Sequence, residues 1–171
     1  MNYNQIVLEN ILIGEEVNNC CAISYKNSKN EKRKLVLKTP MLYLPFGFDK
    51  TGKDLFLNVQ LRKTKNPNYN KELESFEQFI QQLEDLIKTT LKKEINSQIR
   101  YSEKYDPIIS LKVKMIKNKI NTEVKQKNSF FNFYKITKGM SLESEIIIDN
   151  VWIYNDKIYY KIKLEKINIS V

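Results

Sequence analysis

The chain has 171 residues, a length that fits a single domain, 1–171, with a sizeable core. It has no histidine, and its 29 Lys and Arg residues outnumber its 20 Asp and Glu residues, for a formal net charge of +9. Ser-His-Asp and Cys-His catalysis, most zinc sites and glycine-rich phosphate loops are excluded, because histidine is absent and the four glycines are isolated, so we expect neither an enzyme nor a cofactor. No stretch reaches the ~18 apolar residues of a membrane helix, and no signal peptide is recognisable. We therefore expect no membrane partner and an intracellular protein in a reducing compartment. If the chain is viral, we expect it at the replication site of the host cell.

Two short strands are predicted first, "NCCAISYK" (19–26) and "RKLVLK" (33–38). A polar turn joins them, which predicts a hairpin. The adjacent Cys20 and Cys21 lie in the first strand, where we expect two buried thiols rather than a disulfide or a zinc site. The segment 26–38 carries six bases and one acid.

The segment "KTPMLYLPFGFDK" (38–50) contains two prolines and Gly47 among its aromatic residues. These chain-breakers predict a bend in the barrel wall that holds the aromatic side chains at a fixed angle. The following stretch "DLFLNVQL" (54–61) alternates strictly, which predicts a half-buried strand. Phe56 would lie on its non-core face.

Residues 70–101 show apolar residues at spacings of mostly three and four after a plausible N-cap at Asn70. This pattern predicts a long amphipathic helix. At 1.5 Å per residue it would span about 45 Å, more than a small barrel can cover. We therefore expect its last turns to project or to pack on a partner, for example in a homodimer.

The rest of the chain predicts further strands. After Pro107, "IISLKVKMI" (108–116) alternates and places its two lysines on one face. Residues 117–138 are irregular and basic and include the aromatic run "FFNFY". The C-terminal part predicts two long strands with a tight turn at Asn155 and Asp156.

Strands interrupted once by a helix argue for an antiparallel barrel or an α+β sandwich. A five-stranded barrel with a helix between its third and fourth strands is the OB-fold order. We predict a mainly β, OB-fold-like protein with one long helix and a core over about 19–167.

One acidic cluster lies outside the helix, at Glu143, Glu145 and Asp149. Alternation would place these carboxylates on one strand face, where they could hold Mg²⁺ in a nuclease-like site. The alternative is a charged strand edge that discourages aggregation, and we favour it because no further acid or lysine stands at a recognisable spacing. We expect no metal.

The aromatic and basic residues favour a polyanionic partner. Proteins that hold single-stranded nucleic acid combine cations for the phosphates with rings on which any base can stack. For each ring the alternative role is core packing, and for each lysine the alternative is a solvated position on the surface. Tyr159 and Tyr160 are also candidates for stacking. The predicted contacts are Lys38, Tyr43, Phe46, Phe48, Phe56, Arg62, Lys63, Lys112, Lys114, Phe130, Phe131, Phe133, Tyr134, Trp152 and Tyr154.

Over residues 33–167 the sequence resembles the single-stranded-DNA-binding proteins of large nucleocytoplasmic DNA viruses, which are similar to the OB-fold single-strand binders of certain podophages. The motifs are "TPMLYLPFGFDK", "DLFLNVQL", "ELESFEQFIQQLEDLI" and "ITKGMSLESEIIIDNVWIYNDKIYYKIKLEKI". The resemblance implies coating of exposed DNA strands without catalysis, in support of replication, recombination or repair. Many such binders end in an acidic tail that recruits replication proteins, whereas this chain ends "KLEKINISV".

The sequence therefore predicts a non-enzymatic, sequence-tolerant binder of single-stranded DNA. DNA and RNA both offer phosphates and stackable bases, so the sequence does not separate them. Replication proteins and a second copy of the chain are the further partners considered. The alternative function is a structural or scaffold protein of a virion or replication complex that associates through the long helix.

Overall fold

The structure is a computed structural model that describes residues 1–61 and 67–170. Within these residues it contains the helix α1 (Pro67–Leu91) and three 3₁₀ turns at Tyr3–Gln5, Leu8–Asn10 and Phe133–Lys135. The strands are β1 (Ile11–Ile13), β2 (Cys20–Lys26), β3 (Lys32–Arg33), β4 (Leu35–Lys38), β5 (Leu42–Tyr43), β6 (Phe48–Thr51), β7 (Asp54–Gln60), β8 (Glu94–Ile95), β9 (Ile99–Arg100), β10 (Ile108–Val113), β11 (Met115–Ile116), β12 (Lys119–Ile120), β13 (Glu123–Gln126), β14 (Ser129–Phe130), β15 (Ser141–Ile148), β16 (Asn150–Tyr154), β17 (Lys157–Tyr160) and β18 (Ile162–Ser170).

Five strands close into a barrel in the order β18-β10-β7-β5-β15 and back to β18. The pairs are antiparallel except for β10 and β18, which run parallel. Each strand contributes alternate side chains to the interior, among them the fully buried Leu57, Leu111 and Leu164, and burying each such side chain contributes about 1.5–3 kcal/mol. The predicted OB-fold-like barrel is confirmed.

The helix differs from the prediction in place and length. The first predicted strand, β2, belongs to a second sheet, so α1 lies between the second and third barrel strands, β7 and β10. The helix ends at Leu91 rather than at residue 101, because Lys92 adopts a left-handed φ of 54° and β8 and β9 follow. No described helix is long and apolar enough to cross a membrane.

The apolar side of α1 packs against its own chain. Phe76 meets Tyr3 edge-on with the ring centroids 5.1 Å apart, and Ile80, Leu83 and Ile87 are fully buried. The helix therefore has no projecting apolar turns. A dimer or a scaffold role through the helix stays a prediction.

A second sheet has the order β1-β2-β16-β17-β8, with β3 also paired to β2. The predicted hairpin of 19–26 and 33–38 is limited to two residue pairs between β2 and β3. The chain then enters the barrel, where β4 pairs with β15 instead of with β2. Of the two expected buried thiols, Cys21 is buried and Cys20 is half-buried.

The C-terminal hairpin crosses between the two sheets. Its predicted turn is confirmed, since Asn155 and Asp156 both adopt left-handed φ angles, 48° and 60°. Each of the two predicted long strands is divided into two. The parts far from the turn pair in the barrel, as β15 and β18, and the parts next to the turn pair in the second sheet, as β16 and β17. The β16–β17 hairpin thus forms a long connection between the fourth and fifth barrel strands.

The chain-breakers of segment 38–50 lie where the chain passes from β4 to β5 and from β5 to β6. Pro40 lies between β4 and β5, both of which pair with β15. Gly47 adopts a φ of 74°, a left-handed conformation that favours glycine. A β6–β7 hairpin follows, so that β6 forms the connection between the first two barrel strands.

Candidate nucleic-acid interface

The outer face of β7 and β10 carries polar and aromatic side chains. As predicted, the even-numbered residues of β7 point away from the core, so Phe56 and Asn58 lie outside the barrel. Their partners on β10 are Lys112 opposite Phe56 and Ser110 opposite Asn58. In OB-folds this face and the connections beside it are the usual ligand surface.

A hydrogen-bonded group fixes one cation on this face. Arg100 on β9 donates from Nη2 to Asn58 Oδ1 at 2.8 Å and to Ser110 Oγ at 2.9 Å. Ser110 Oγ in turn donates to Asn58 Oδ1 at 2.7 Å. The guanidinium is planar with five N–H donors, so it retains donors for a ligand while its orientation is held.

Beside this group lies a depression of about 270 Å³, which we call the outer groove. Its walls include Asp49 of β6, Phe56, Arg100, Ser110 and Lys161. The Lys161 ammonium lies 5.3 Å from the centre of the Phe56 ring, an arrangement typical of a cation–π contact. The groove therefore combines an aromatic face with two cations.

Three rings of the β16–β17 hairpin form a second aromatic group, the ring triplet of Trp152, Tyr154 and Tyr159. Trp152 and Tyr159 stack with centroids 6.3 Å apart and planes 17° apart, and Tyr154 meets Tyr159 at 6.5 Å. Lys161, which lines the outer groove, follows Tyr159 by two residues and lies between β17 and β18. The chain therefore leads from the ring triplet directly to the outer groove.

A buried carboxylate holds the wall of the groove to the helix. Glu84 of α1 accepts a hydrogen bond from the Tyr160 hydroxyl at 2.6 Å and from the Gln98 backbone N–H at 2.9 Å. Burial raises the pKa of the Tyr160 phenol well above its usual value, and the Glu84 charge adds to the shift. Tyr160 therefore stays protonated and donates. The contact connects α1 to β17 and to the segment that precedes Arg100.

Most strand lysines near the groove are neutralised by carboxylates. Lys112 pairs with Asp54 at 2.8 Å and Lys163 with Asp149 at 2.7 Å. Lys114 likewise pairs with Glu165 at 2.8 Å. Lys112 and Lys114, both predicted to contact nucleic acid, are therefore engaged in ion pairs, and their contact with a phosphate stays a prediction.

A third aromatic group lies where β6 meets the 3₁₀ turn 133–135. Phe48 contacts Phe133 at 5.5 Å and Tyr134 at 6.1 Å. Phe133 is only 4% exposed, and Phe131 packs against the core. Phe133 therefore offers almost no stacking face and serves as packing, whereas Phe131 is half-buried and its role in stacking stays a prediction.

The remaining predicted contacts are dispersed. Tyr43 is exposed and pairs with Gln60 of β7, whereas Lys38 lies opposite Glu145 on β15. Phe130 is 86% exposed on β14, opposite Lys125. Arg62 and Lys63 lie outside the described residues. The predicted residues thus occupy several surfaces rather than one.

The considered nuclease site is not assembled. Asp149 pairs with Lys163, and Glu145 lies 3.4 Å from the ammonium of Lys166. Among residues 1–61 and 67–170, no three His, Cys, Asp or Glu side chains are grouped to hold a metal ion.

Sequence reasoning missed Arg100 and Lys161. Arg100 was placed at the end of the predicted helix, where the apolar spacing continued. Lys161 could have been found by alternation, because it follows Lys157 and Tyr159 on the same side of a predicted strand.

Comparison with known proteins supports the fold. No family model and no curated protein sequence matches the chain. Among solved structures, the chain is similar to the single-stranded DNA-binding protein from bacteriophage Enc34 with a C-terminal truncation, at a TM-score of 0.51 and 11% identity over 95% of this chain and 96% of that one. This likeness supports the fold, and no comparison supports an origin in a nucleocytoplasmic DNA virus.

Proposed function

We propose that the protein binds single-stranded DNA without sequence preference and without catalysis, through the outer groove and the ring triplet. By coating exposed strands it would support replication, recombination or repair. The observation that carries the proposal is the pairing of Phe56 with Lys161 on the outer face of the second and third barrel strands. The structural neighbour, itself a single-stranded DNA-binding protein, supports the same ligand class.

Each part of the surface has a chemical role in this proposal. A base stacks on Phe56, and such a contact contributes about 1–3 kcal/mol. Lys161 then moves from the ring to a neighbouring phosphate. The next bases stack on the exposed faces of the ring triplet, and Arg100 donates to a phosphate or to a base edge.

A duplex would bind poorly by this mechanism, because its bases are already stacked and paired and present no free faces to Phe56. Binding of a fluorescently labelled mixed-sequence strand, with unlabelled single strand and matching duplex as competitors, tests the proposal. We expect the single strand to compete more than about tenfold better at about 0.1 M salt. Equal competition by duplex would overturn it. A parallel competition with RNA of the same sequence decides whether the ligand class extends to RNA.

A further inference from the structure

A second aromatic surface lies away from the outer groove. Phe46 and Tyr134 are each 62% exposed, and Tyr134 forms a cluster of three mutually contacting rings with Phe48 and the buried Phe133. We call this surface, with its flanking lysines, the hairpin face. Exposed rings of this kind are available for contact with a ligand.

The lysines of the hairpin face have no acidic partners. Lys50 follows Phe48 by two residues on β6, Lys135 adjoins Tyr134, and the backbone of Lys138 lies 3.5 Å from where a Cβ on Gly47 would stand. All three are exposed, and none forms an ion pair with a described residue. Rings among unpaired cations are complementary to a polyanion with stackable bases.

The hairpin face is held in place by the fold. The Leu44 backbone N–H donates to Met140 O at 2.9 Å, and the Gly139 N–H donates to Leu44 O at 2.8 Å. These bonds join the turn after β5 to the chain segment that carries Tyr134. The rings and lysines are therefore positioned before any ligand arrives.

The two surfaces lie on opposite faces of the β6–β7 hairpin. Asp49 and Thr51 of β6 line the outer groove, so alternation directs Phe48 and Lys50 to the other side. Among the described strands β6 pairs only with β7, so no described strand pairs with its other edge. A single DNA strand that runs from the outer groove over this edge of β6 would reach the hairpin face.

We propose that the hairpin face binds a second segment of the same single strand, which passes over β6 from the outer groove. The inference rests on the proposed function and extends it, because it assigns a second subsite and a longer binding site. A nucleic acid is favoured over a protein partner by the three unpaired lysines around the rings.

The test compares a short strand of about 5 nucleotides, which fills only the groove, with one of about 15 nucleotides, which reaches both surfaces. The double variant F46A/Y134A should weaken the long strand about tenfold or more while changing the short strand less than about twofold. The single variant F46A removes a ring that contacts no other ring among residues 1–61 and 67–170, and it guards against a loss of folding in the double variant. Y69A, which removes an exposed tyrosine of α1, is the matched control.

The lysines are tested with K50Q/K135Q/K138Q, against K71Q on α1 as control. Removing three phosphate contacts should reduce the salt-dependence slope of long-strand binding by about two, with the short-strand slope unchanged. Equal effects on both lengths, or no effect on either, would overturn the inference while the proposed function stands. Failure of the unaltered protein to bind either strand would overturn both.

Discussion

The outer groove and the hairpin face have similar compositions but different electrostatics. Both combine exposed or half-buried rings with lysines. Around the groove, Lys112 and Lys163 are paired with Asp54 and Asp149, and Lys161 lies over the Phe56 ring. On the hairpin face the lysines form no ion pair with a residue that the structure describes. The number of lysines on a surface is therefore a poor measure of the charge that it offers to a ligand.

This difference predicts that the two surfaces bind nucleic acid through different interactions. Binding in the groove should depend mainly on stacking, which responds weakly to salt, whereas binding on the hairpin face should depend more on phosphate contacts, which weaken as salt rises. Four expected results test this difference, in order of decreasing effect.

The largest effect is expected for F56A. Loss of one stacking face should weaken short-strand binding by about 10–100-fold, with little change in the salt-dependence slope. F56L keeps an apolar side chain without a ring and should be nearly as weak. Anisotropy titrations across a salt series measure both quantities. A smaller slope with little loss of affinity would show that the groove binds through charge instead.

The second effect concerns the wall of the groove and is expected in Y160F. Glu84 loses one of its two buried donors, so the free energy of unfolding should fall by about 1–3 kcal/mol, measured by denaturant titration. The raised pKa of Tyr160 also sets a pH dependence. The unfolded chain loses this proton first, near pH 10, so the stability from Tyr160 is present below about pH 10 and is lost as the pH rises further.

Y160F should lack this alkaline component, so its unfolding free energy should fall less steeply above about pH 10 than that of the unaltered protein. Other groups that titrate there are common to both proteins and cancel in the difference. Parallel slopes for the two proteins would contradict the raised pKa that burial, with the Glu84 charge, gives the Tyr160 phenol.

A smaller effect is expected for R100K. Lysine keeps the charge but cannot reproduce the planar contacts to Asn58 and Ser110, so the cation loses its fixed direction. Short-strand affinity should fall several-fold, with an unchanged salt-dependence slope. A loss that appears only with the long strand would place Arg100 outside the groove subsite.

The smallest effect is expected for D54N, which frees the Lys112 ammonium. Exposed ion pairs contribute only about 0–1 kcal/mol to folding, so the variant should remain folded. Short-strand binding should become a few-fold tighter at low salt, and its slope should steepen by about 0.7. Unchanged binding would mean that Lys112 does not lie along the strand.

The sequence predicted the features that depend on local pattern. Strict alternation located β7 and the outward direction of Phe56, and paired turn residues located the turn at Asn155 and Asp156. The barrel followed from the order of these elements. Each of these inferences uses only neighbours in the chain, for which the physical rules are strong.

The predictions that failed and the contacts that were missed concern features that depend on residues distant in the sequence. The ion pair of Lys112 with Asp54 joins positions 58 apart in sequence, and no local pattern reveals it. Ile95 and Ile99 continue the helical spacing, but they lie in short strands that pair with β17 and β10. Pairing with a distant strand overrode the local periodicity and brought Arg100 into the groove.

Trp152 offers the most direct measurement, because it is the only tryptophan of the chain and belongs to the ring triplet. Its intrinsic fluorescence should be quenched as an unlabelled single strand is added, at the same midpoint as the anisotropy titration, because a base stacks on or beside the indole. Matching duplex at the same concentration should leave the fluorescence unchanged. Strand binding without any change in Trp152 fluorescence, or equal quenching by duplex, would contradict the proposed binding surface.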